Sequence, residues 1–382
     1  MSRWANKYVI GLTGNIATGK SVVRQMLQHL GAYTIDADGL TNQAMSPGAP
    51  AYKPVVEVFG QFILNPDKTI NRAMLGRIVF SNKEALTRLE EATHPIISQA
   101  INTLVSRANQ KVVVIEAIKL LEGDLKDYVD VVWTVNAKPQ TQYARLISKQ
   151  RKMSPEDAKQ RIIAQGSPEA KLKAANLIIQ NDGNIEDTWK QVQKGFTQIS
   201  AQAPAAPAEK AATPPAAELE GIVIKRGMPT HAEVIAGFIN RATGKNIERM
   251  DVLMAFGQKS YLVINDEAEK QVGIVGWQVE NLITCVDDLY LNKEASTPAV
   301  VQAIIKHIEV ASQELQSEVC FVFLPAGSGD DMSAPFLSND YEATTIKEIK
   351  IPAWRESVQN NAEADTIILT KKLRQNRVLK PI

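Results

Sequence analysis

The chain has 382 residues, too many for one ordinary domain and a natural length for two. Its 43 Lys and Arg nearly cancel its 42 Asp and Glu, which argues against a global charge footprint for nucleic acid or an anionic membrane. Two cysteines, Cys285 and Cys320, are too few for a disulfide framework or a Cys-rich zinc site, and no apolar run reaches the roughly 18–20 residues that span a bilayer.

In chain order, residues 1–7 lead into a strand and do not read as a signal peptide, so the expected setting is cytoplasmic. Residues 8–14 read as a strand, 20–30 as a helix, and 32–38 as a short strand ending in acids. A helical pattern covers 82–108. The β-branched runs at 111–117 and 129–135 read as buried parallel strands. Helices follow at 138–150 and 154–164, and a last short strand at 175–183. This alternation predicts an α/β domain with a parallel sheet over residues 1–200. Alanine and proline then dominate "AQAPAAPAEKAATPPAAE", where Pro204, Pro207, Pro214 and Pro215 block a continuous helix. Residues 201–220 are therefore expected to form an extended linker. Beyond it, strand patterns at 221–227, 260–280, 318–325 and 365–373 surround helical stretches at about 230–242 and 299–316, a mixed α+β domain over 221–382.

The first strand runs straight into "GLTGNIATGKS". Gly14-x4-Gly19-Lys20-Ser21 between a strand and a helix is the phosphate-loop arrangement. Backbone N–H groups of Gly14, Asn15, Ile16, Ala17, Thr18 and Gly19 would turn in on phosphate oxygens, and the helix N-terminus adds its partial charge. Lys20 reaches the β- and γ-phosphates, and Ser21 is the expected Mg²⁺ ligand. Asn15 and Ala17 stand where glycine is common, and they fit if their φ values are negative. With no Asn-Lys-x-Asp base-reading motif and a short domain, ATP-dependent small-molecule phosphorylation is favoured over GTP hydrolysis or motor work.

"IDADG" supplies two carboxylates, Asp36 and Asp38, two residues apart at the end of a strand, where an extended chain points both the same way. In an open α/β sheet that end faces the ligand crevice. Asp38 would accept or orient the attacking hydroxyl proton, and Asp36 would support metal or substrate. The plainer alternative is a pair of solvated turn acids capping the next helix. Glu116 ends a buried strand and would contact metal-bound water or substrate, or serve in a structural pair.

"GLTGNIATGKS", "IDADGL", "PGAPAY", "INRAMLGRIVF", "THPII", "LLEG", "QTQYARL" and "NLIIQNDG" occur in this order over residues 7–197. Together they resemble the dephospho-CoA kinase family. The resemblance implies a P-loop kinase fold with a helical lid, ATP and Mg²⁺ as cofactors, and phosphorylation of the ribose 3′-hydroxyl of dephospho-CoA. It implies Asp38 as catalytic aspartate, Lys20 and Arg145 beside the transferring phosphate, and Arg72 and His94 on the acceptor side. Taken alone, Arg72 and Arg145 have the alternative of plain helix-surface arginines, and His94 that of a capping or packing residue. Two departures stand out: Glu116-Ala-Ile-Lys119-Leu-Leu-Glu122 replaces the usual Asp-x-Pro-Leu-Leu and places a lysine in an apolar patch, and "LISKQRKMS", with Lys149 and Arg151, is one residue longer than the family's usual lid segment. Another P-loop small-molecule kinase, or a nucleotide-dependent scaffold without turnover, remain the rival readings.

The element order after the linker resembles the GNAT acetyltransferase fold. The stretch that would wrap a pyrophosphate, "ASTPAVVQ" at 295–302, has no glycine and no basic residue. This domain is therefore expected to be a degenerate acetyltransferase-like module for interaction or regulation, with a protein partner; retained binding of a CoA-type ligand and acetyl transfer are the alternatives. Tyr290 and Tyr341 stand where aromatics could line a cleft, with core or rim packing as the default reading.

Overall fold

The computed structural model describes residues 4, 6–148, 153–203, 217–219, 221–293, 295–325, 327–363, 365–375 and 378–379. In the first half the elements run β1 (Tyr8–Thr13), α1 (Lys20–His29), β2 (Tyr33–Asp36), α2 (Ala37–Ala44), α3 (Tyr52–Phe59), α4 (Arg72–Ser81), α5 (Lys83–Arg107), β3 (Val112–Glu116), β4 (Val131–Asn136), α6 (Pro139–Leu146), α7 (Pro155–Ala164), α8 (Glu169–Ala174), β5 (Leu177–Gln180) and α9 (Ile185–Gln202). The five strands form one parallel sheet in the order β2-β3-β1-β4-β5. Interior strand β3 is buried along its whole length, as its Val-Val-Val-Ile run demands. The chain passes from β1 over β3 to β2, so a crevice opens at the carboxyl ends of these strands. Register brings Leu12 and Asp36 to either side of Glu116, at the mouth of that crevice.

The second half holds β6 (Ala217–Leu219), β7 (Ile222–Arg226), α10 (Ala232–Thr243), α11 (Arg249–Ala255), β8 (Ser260–Asn265), β9 (Gln271–Glu280), β10 (Ile283–Leu291), α12 (Pro298–Glu314), β11 (Val319–Pro325), α13 (Asp330–Ser338), β12 (Glu342–Thr344), α14 (Pro352–Asn361) and β13 (Thr366–Lys372). Its eight strands order as β12-β13-β11-β10-β9-β8-β7-β6. All neighbours are antiparallel except β10 and β11, which α12 joins by a crossover. Cys285 and Cys320 lie buried and unbridged on these two parallel strands. The segment expected as a linker is trimmed at both ends: α9 runs to Gln202, and Ala217–Leu219 pairs with β7. Residues 204–216 and 220, with all four prolines, lie outside the described residues.

The two halves are packed together, and α1 shows how. It is a polar helix, yet eight of its ten residues are buried, among them Arg24, Gln25, Gln28 and His29. The second half covers its outer face. His29 Nε2 meets Phe256 O at 3.1 Å, its Nδ1 meets Arg226 at 3.2 Å, and Val22 packs on Gly257. The β9–β10 turn makes the other contact. Glu280 pairs with Ile283, leaving Asn281 and Leu282 as a two-residue loop with φ of 50° and 65°. That is the pattern of a type I′ turn, whose second place suits glycine. A leucine there costs about 1–2 kcal/mol of backbone strain. Its side chain is 6% exposed and joins the first half's core beside Tyr33, Ile35, Leu40 and Leu104. Burying it returns about 2 kcal/mol, which offsets the strain.

Candidate active site

The phosphate loop closes β1 and opens α1. A Cβ at Gly14 would collide with Val135 O, and one at Gly19, where φ is 96°, with the Asn181 amide. Both positions therefore require glycine. Asn15 does have negative φ, but Ala17 does not. Its φ is 57°, contrary to the sequence expectation. The methyl group is buried against Leu146 and Ala158, and this packing holds the strained backbone. Several distant side chains fix the loop. Arg145 donates to Ala17 O and Thr18 O at 3.1 Å each and to Asn181 O at 2.7 Å. Asn181 donates to Thr18 O at 2.8 Å, Ile16 N–H to Gln165 at 2.5 Å, and Lys171 to Asn15 Oδ1 at 3.2 Å. Lys20 Nζ lies 3.2 Å from Asn15 O, inside the loop it would leave to meet a phosphate.

Ser21 Oγ donates to Glu116 Oε1 at 3.2 Å, and Arg24 Nε to Glu116 Oε2 at 2.6 Å. Glu116 is 5% exposed, so this is a buried ion pair tied to the loop's serine. Neighbouring β2 ends at Asp36, which is still extended, and the chain turns helical at the next residue. Its carboxylate accepts Gly39 N–H at 2.8 Å and caps α2. Asp38 therefore sits in the first turn of α2, and the two acids do not alternate along a strand as expected. Asp38 Oδ2 accepts Ile118 N–H at 3.0 Å. Burial pushes its pKa up to about 6, against the pull of that hydrogen bond; Asp36 and Glu116 raise it further and Lys20 lowers it.

The Dephospho-CoA kinase family model matches residues 8–187. The dephospho-CoA kinase of Geobacter metallireducens is 44% identical over 187 residues, 48% of this chain and 92% of that protein. The chain belongs to the dephospho-CoA kinase family. Among solved structures, the Campylobacter jejuni dephospho-CoA kinase is similar at 29% identity, over 51% of this chain and 98% of its own, with a TM-score of 0.38. An acetyltransferase of the GNAT family from Staphylococcus aureus is similar at 12% identity, over 40% of this chain and 99% of its own, with a TM-score of 0.31.

The candidate site thus gathers Lys20, Ser21, Asp36, Asp38, Glu116 and Arg145. Two other expected residues stand apart from this group. Arg72 opens α4 and pairs with Glu356 of the second half at 3.4 Å. His94 is exposed on α5, 3.6 Å from where a Gly123 Cβ would stand. Lys119, between Ile118 and Leu120 in sequence, turns outward and pairs with Glu90 at 3.1 Å. Lys149 and Arg151 lie outside the described residues. Sequence reasoning missed Arg24, Gln165, Lys171 and Asn181. The one local signal was Asn181 in "NDG", at a carboxyl end of the sheet.

In the second half a cavity of about 520 Å³ is lined by Lys259, Tyr261, Asp287, Asp288 and Tyr290 among others. Lys259 lies 2.6 Å from Asp287 and 2.9 Å from Asp288. Tyr290 is therefore a cleft residue, whereas Tyr341 packs in the core against Phe336. No helix of the described residues is long and apolar enough to cross a membrane.

Proposed function

We propose that residues 1–200 transfer the γ-phosphoryl group of ATP to the 3′-hydroxyl of the dephospho-CoA ribose, joined through 201–220 to a separate unit, 221–382. The observation that carries this reading is Asp38. Its carboxylate is fixed by Ile118 N–H beside Lys20 and the phosphate loop, and a pKa of about 6 leaves it ionised at pH 7 yet able to hold a proton. Asp38 takes the hydroxyl proton as that oxygen attacks the γ-phosphorus and the bond to the β–γ bridging oxygen breaks. Lys20 moves off Asn15 O to meet the charge that develops, and the loop N–H groups hold the β-phosphate. Arg145 acts on the loop's shape through three backbone carbonyls. Asp36 holds the start of α2, and Arg72 and His94 flank the acceptor.

The donor set fits Mg²⁺. The Ser21 hydroxyl and the Glu116 carboxylate are hard oxygen ligands, held 3.2 Å apart next to the loop. Among the described residues no three His, Cys, Asp or Glu gather as a metal cage, and a metal that rides on nucleotide phosphates does not need one. When bound, Mg²⁺ neutralises charge on the β- and γ-phosphates.

ATP and Mg²⁺ with dephospho-CoA should give CoA and ADP in equal amounts, and a 3′-deoxy acceptor should give neither. Phosphate on another position of the acceptor, or ATP use without a phosphorylated acceptor, contradicts the reading and favours the other small-molecule kinase or the scaffold.

For the second half we propose that the start of α12 does not cradle a pyrophosphate. Pro298 brings no N–H, and the Thr297 hydroxyl already accepts from Val300 N at 3.3 Å. Hydrogen exchange at 297–301 in the full chain should be unchanged by saturating acetyl-CoA, and protection there would reverse the proposal.

A further inference from the structure

The β9–β10 turn reaches from the second half to the segment that carries Asp38. Asn281 Oδ1 packs so closely on Gly39 that a Cβ there would collide with it, and the same Cβ would lie 2.7 Å from Asp36 Oδ2. Leu282, the neighbouring turn residue, is anchored in the first half's core beside Tyr33, Ile35 and Leu40. Behind it, Gln316 Nε2 donates to Leu104 O at 2.7 Å, and Glu318 N–H to Leu282 O at 2.7 Å, so the turn is held from both sides. The gap left between Arg24, Asp36, Asn281 and Leu282 is only about 30 Å³. Asp36 caps α2 through Gly39 N–H, and Asp38 lies between them. Any shift of the turn must therefore move the first turn of α2, because a packed contact this close does not deform freely.

We propose that Asn281 and Leu282 are positioning residues of the phosphotransfer site: by clamping Asp36 and Gly39 they set where Asp38 stands, so the second half is a working part of the kinase. This rests on reading Asp38 as the base. It also explains why the turn keeps a leucine at φ 65°, where glycine would be free of strain.

The test uses full-length variants, with turnover expressed per ATP-binding site so that unfolded protein does not count. Leu282→Gly suits the turn backbone but removes the anchor. Its kcat per site should fall between about tenfold and a hundredfold, the size expected from an ångström-scale misplacement. Its Kd for a non-hydrolysable ATP analogue should stay within about twofold, because the phosphate loop itself is untouched. Leu282→Met keeps both the anchor and the strain, and should restore most of the rate. If Leu282→Gly does not fold, Asn281→Gly gives the reading, since it keeps the backbone and removes only the side chain over Gly39; its kcat should fall at unchanged ATP affinity. Wild-type kcat per site in a folded anchor variant, or a loss confined to ATP affinity, overturns the proposal. Asp38→Asn in the same assay keeps the two claims apart. If it is inactive while Leu282→Gly is normal, only the turn is wrong; if it is fully active, the base assignment is wrong.

Discussion

Arg24 Nε lies 2.6 Å from Glu116 Oε2, and the other oxygen of that carboxylate accepts from Ser21 of the phosphate loop. The pair is buried, so neither charge has water to fall back on. Removing one partner should cost far more than the pair contributes in net terms. Arg24→Met should lower unfolding free energy by about 3–5 kcal/mol, by leaving Glu116 buried and uncompensated. Urea denaturation at pH 7 checks this. Loss of less than about 1 kcal/mol would mean that water reaches Glu116, as at an exposed pair.

Lys20 is 7% exposed and tied to its own loop until a phosphate arrives. Its charge is needed most when the γ-phosphoryl is in flight. Lys20→Ala should reduce kcat by about 10²–10³-fold, the range for one lost charge contact on a transition state. Analogue binding should change much less, and rapid-quench turnover with calorimetry separates the two.

Asp38 makes a prediction with two signs. Its folded pKa of about 6 lies above the ordinary 3.8, so ionising it opposes folding. The protein is favoured by protonated Asp38 below pH 4, and this advantage is lost as pH rises through 6. A rise of this size corresponds to about 3 kcal/mol, with the opposing pull of the bond to Ile118 N–H already contained in it. Asp38→Asn should therefore be more stable than wild type by about 3 kcal/mol at pH 8, and equal to it below pH 4. In the wild type, kcat/KM should fall about tenfold per pH unit below 6, because the base must be ionised.

His29 reads the other way. Burial holds its pKa down to about 4, and the neighbouring Arg226 adds to this. With the folded value below the unfolded 6.5, its contribution is present above pH 6.5 and is lost as pH falls through 4. The second half's grip on α1 should weaken over that window. Hydrogen exchange at 22–29 and 252–257 should quicken between pH 6.5 and 4 in wild type, and His29→Gln should flatten the response.

The phosphate loop was legible because geometry leaves no choice: only glycine clears Val135 O at position 14 and Asn181 at position 19. Ala17 was misjudged for the opposite reason. Its left-handed backbone depends on packing against Leu146 and Ala158, which local sequence does not announce. Asp38 was found by its motif, but alternation along a strand was the wrong geometry. Asp36 turns to cap α2, so the chain leaves the sheet one residue after it. Arg24 was invisible because its partner lies 92 residues away, and Lys171 reaches Asn15 across 156. The polar face of α1 would have passed for a wet one, since nothing in a helix pattern shows that a second half covers it.

The central claim is that Asp38 takes the proton from the acceptor ribose while Lys20 and the loop hold the donor phosphates. It is tested most directly by single-turnover transfer from γ-labelled ATP to dephospho-CoA at pH 7.5, wild type against Asp38→Asn, with analogue affinity measured in parallel. Wild type should label the 3′-position, and Asp38→Asn should lose about 10²–10⁴-fold in rate, the usual contribution of general-base catalysis, at unchanged analogue affinity. Wild-type rate in Asp38→Asn would contradict the account.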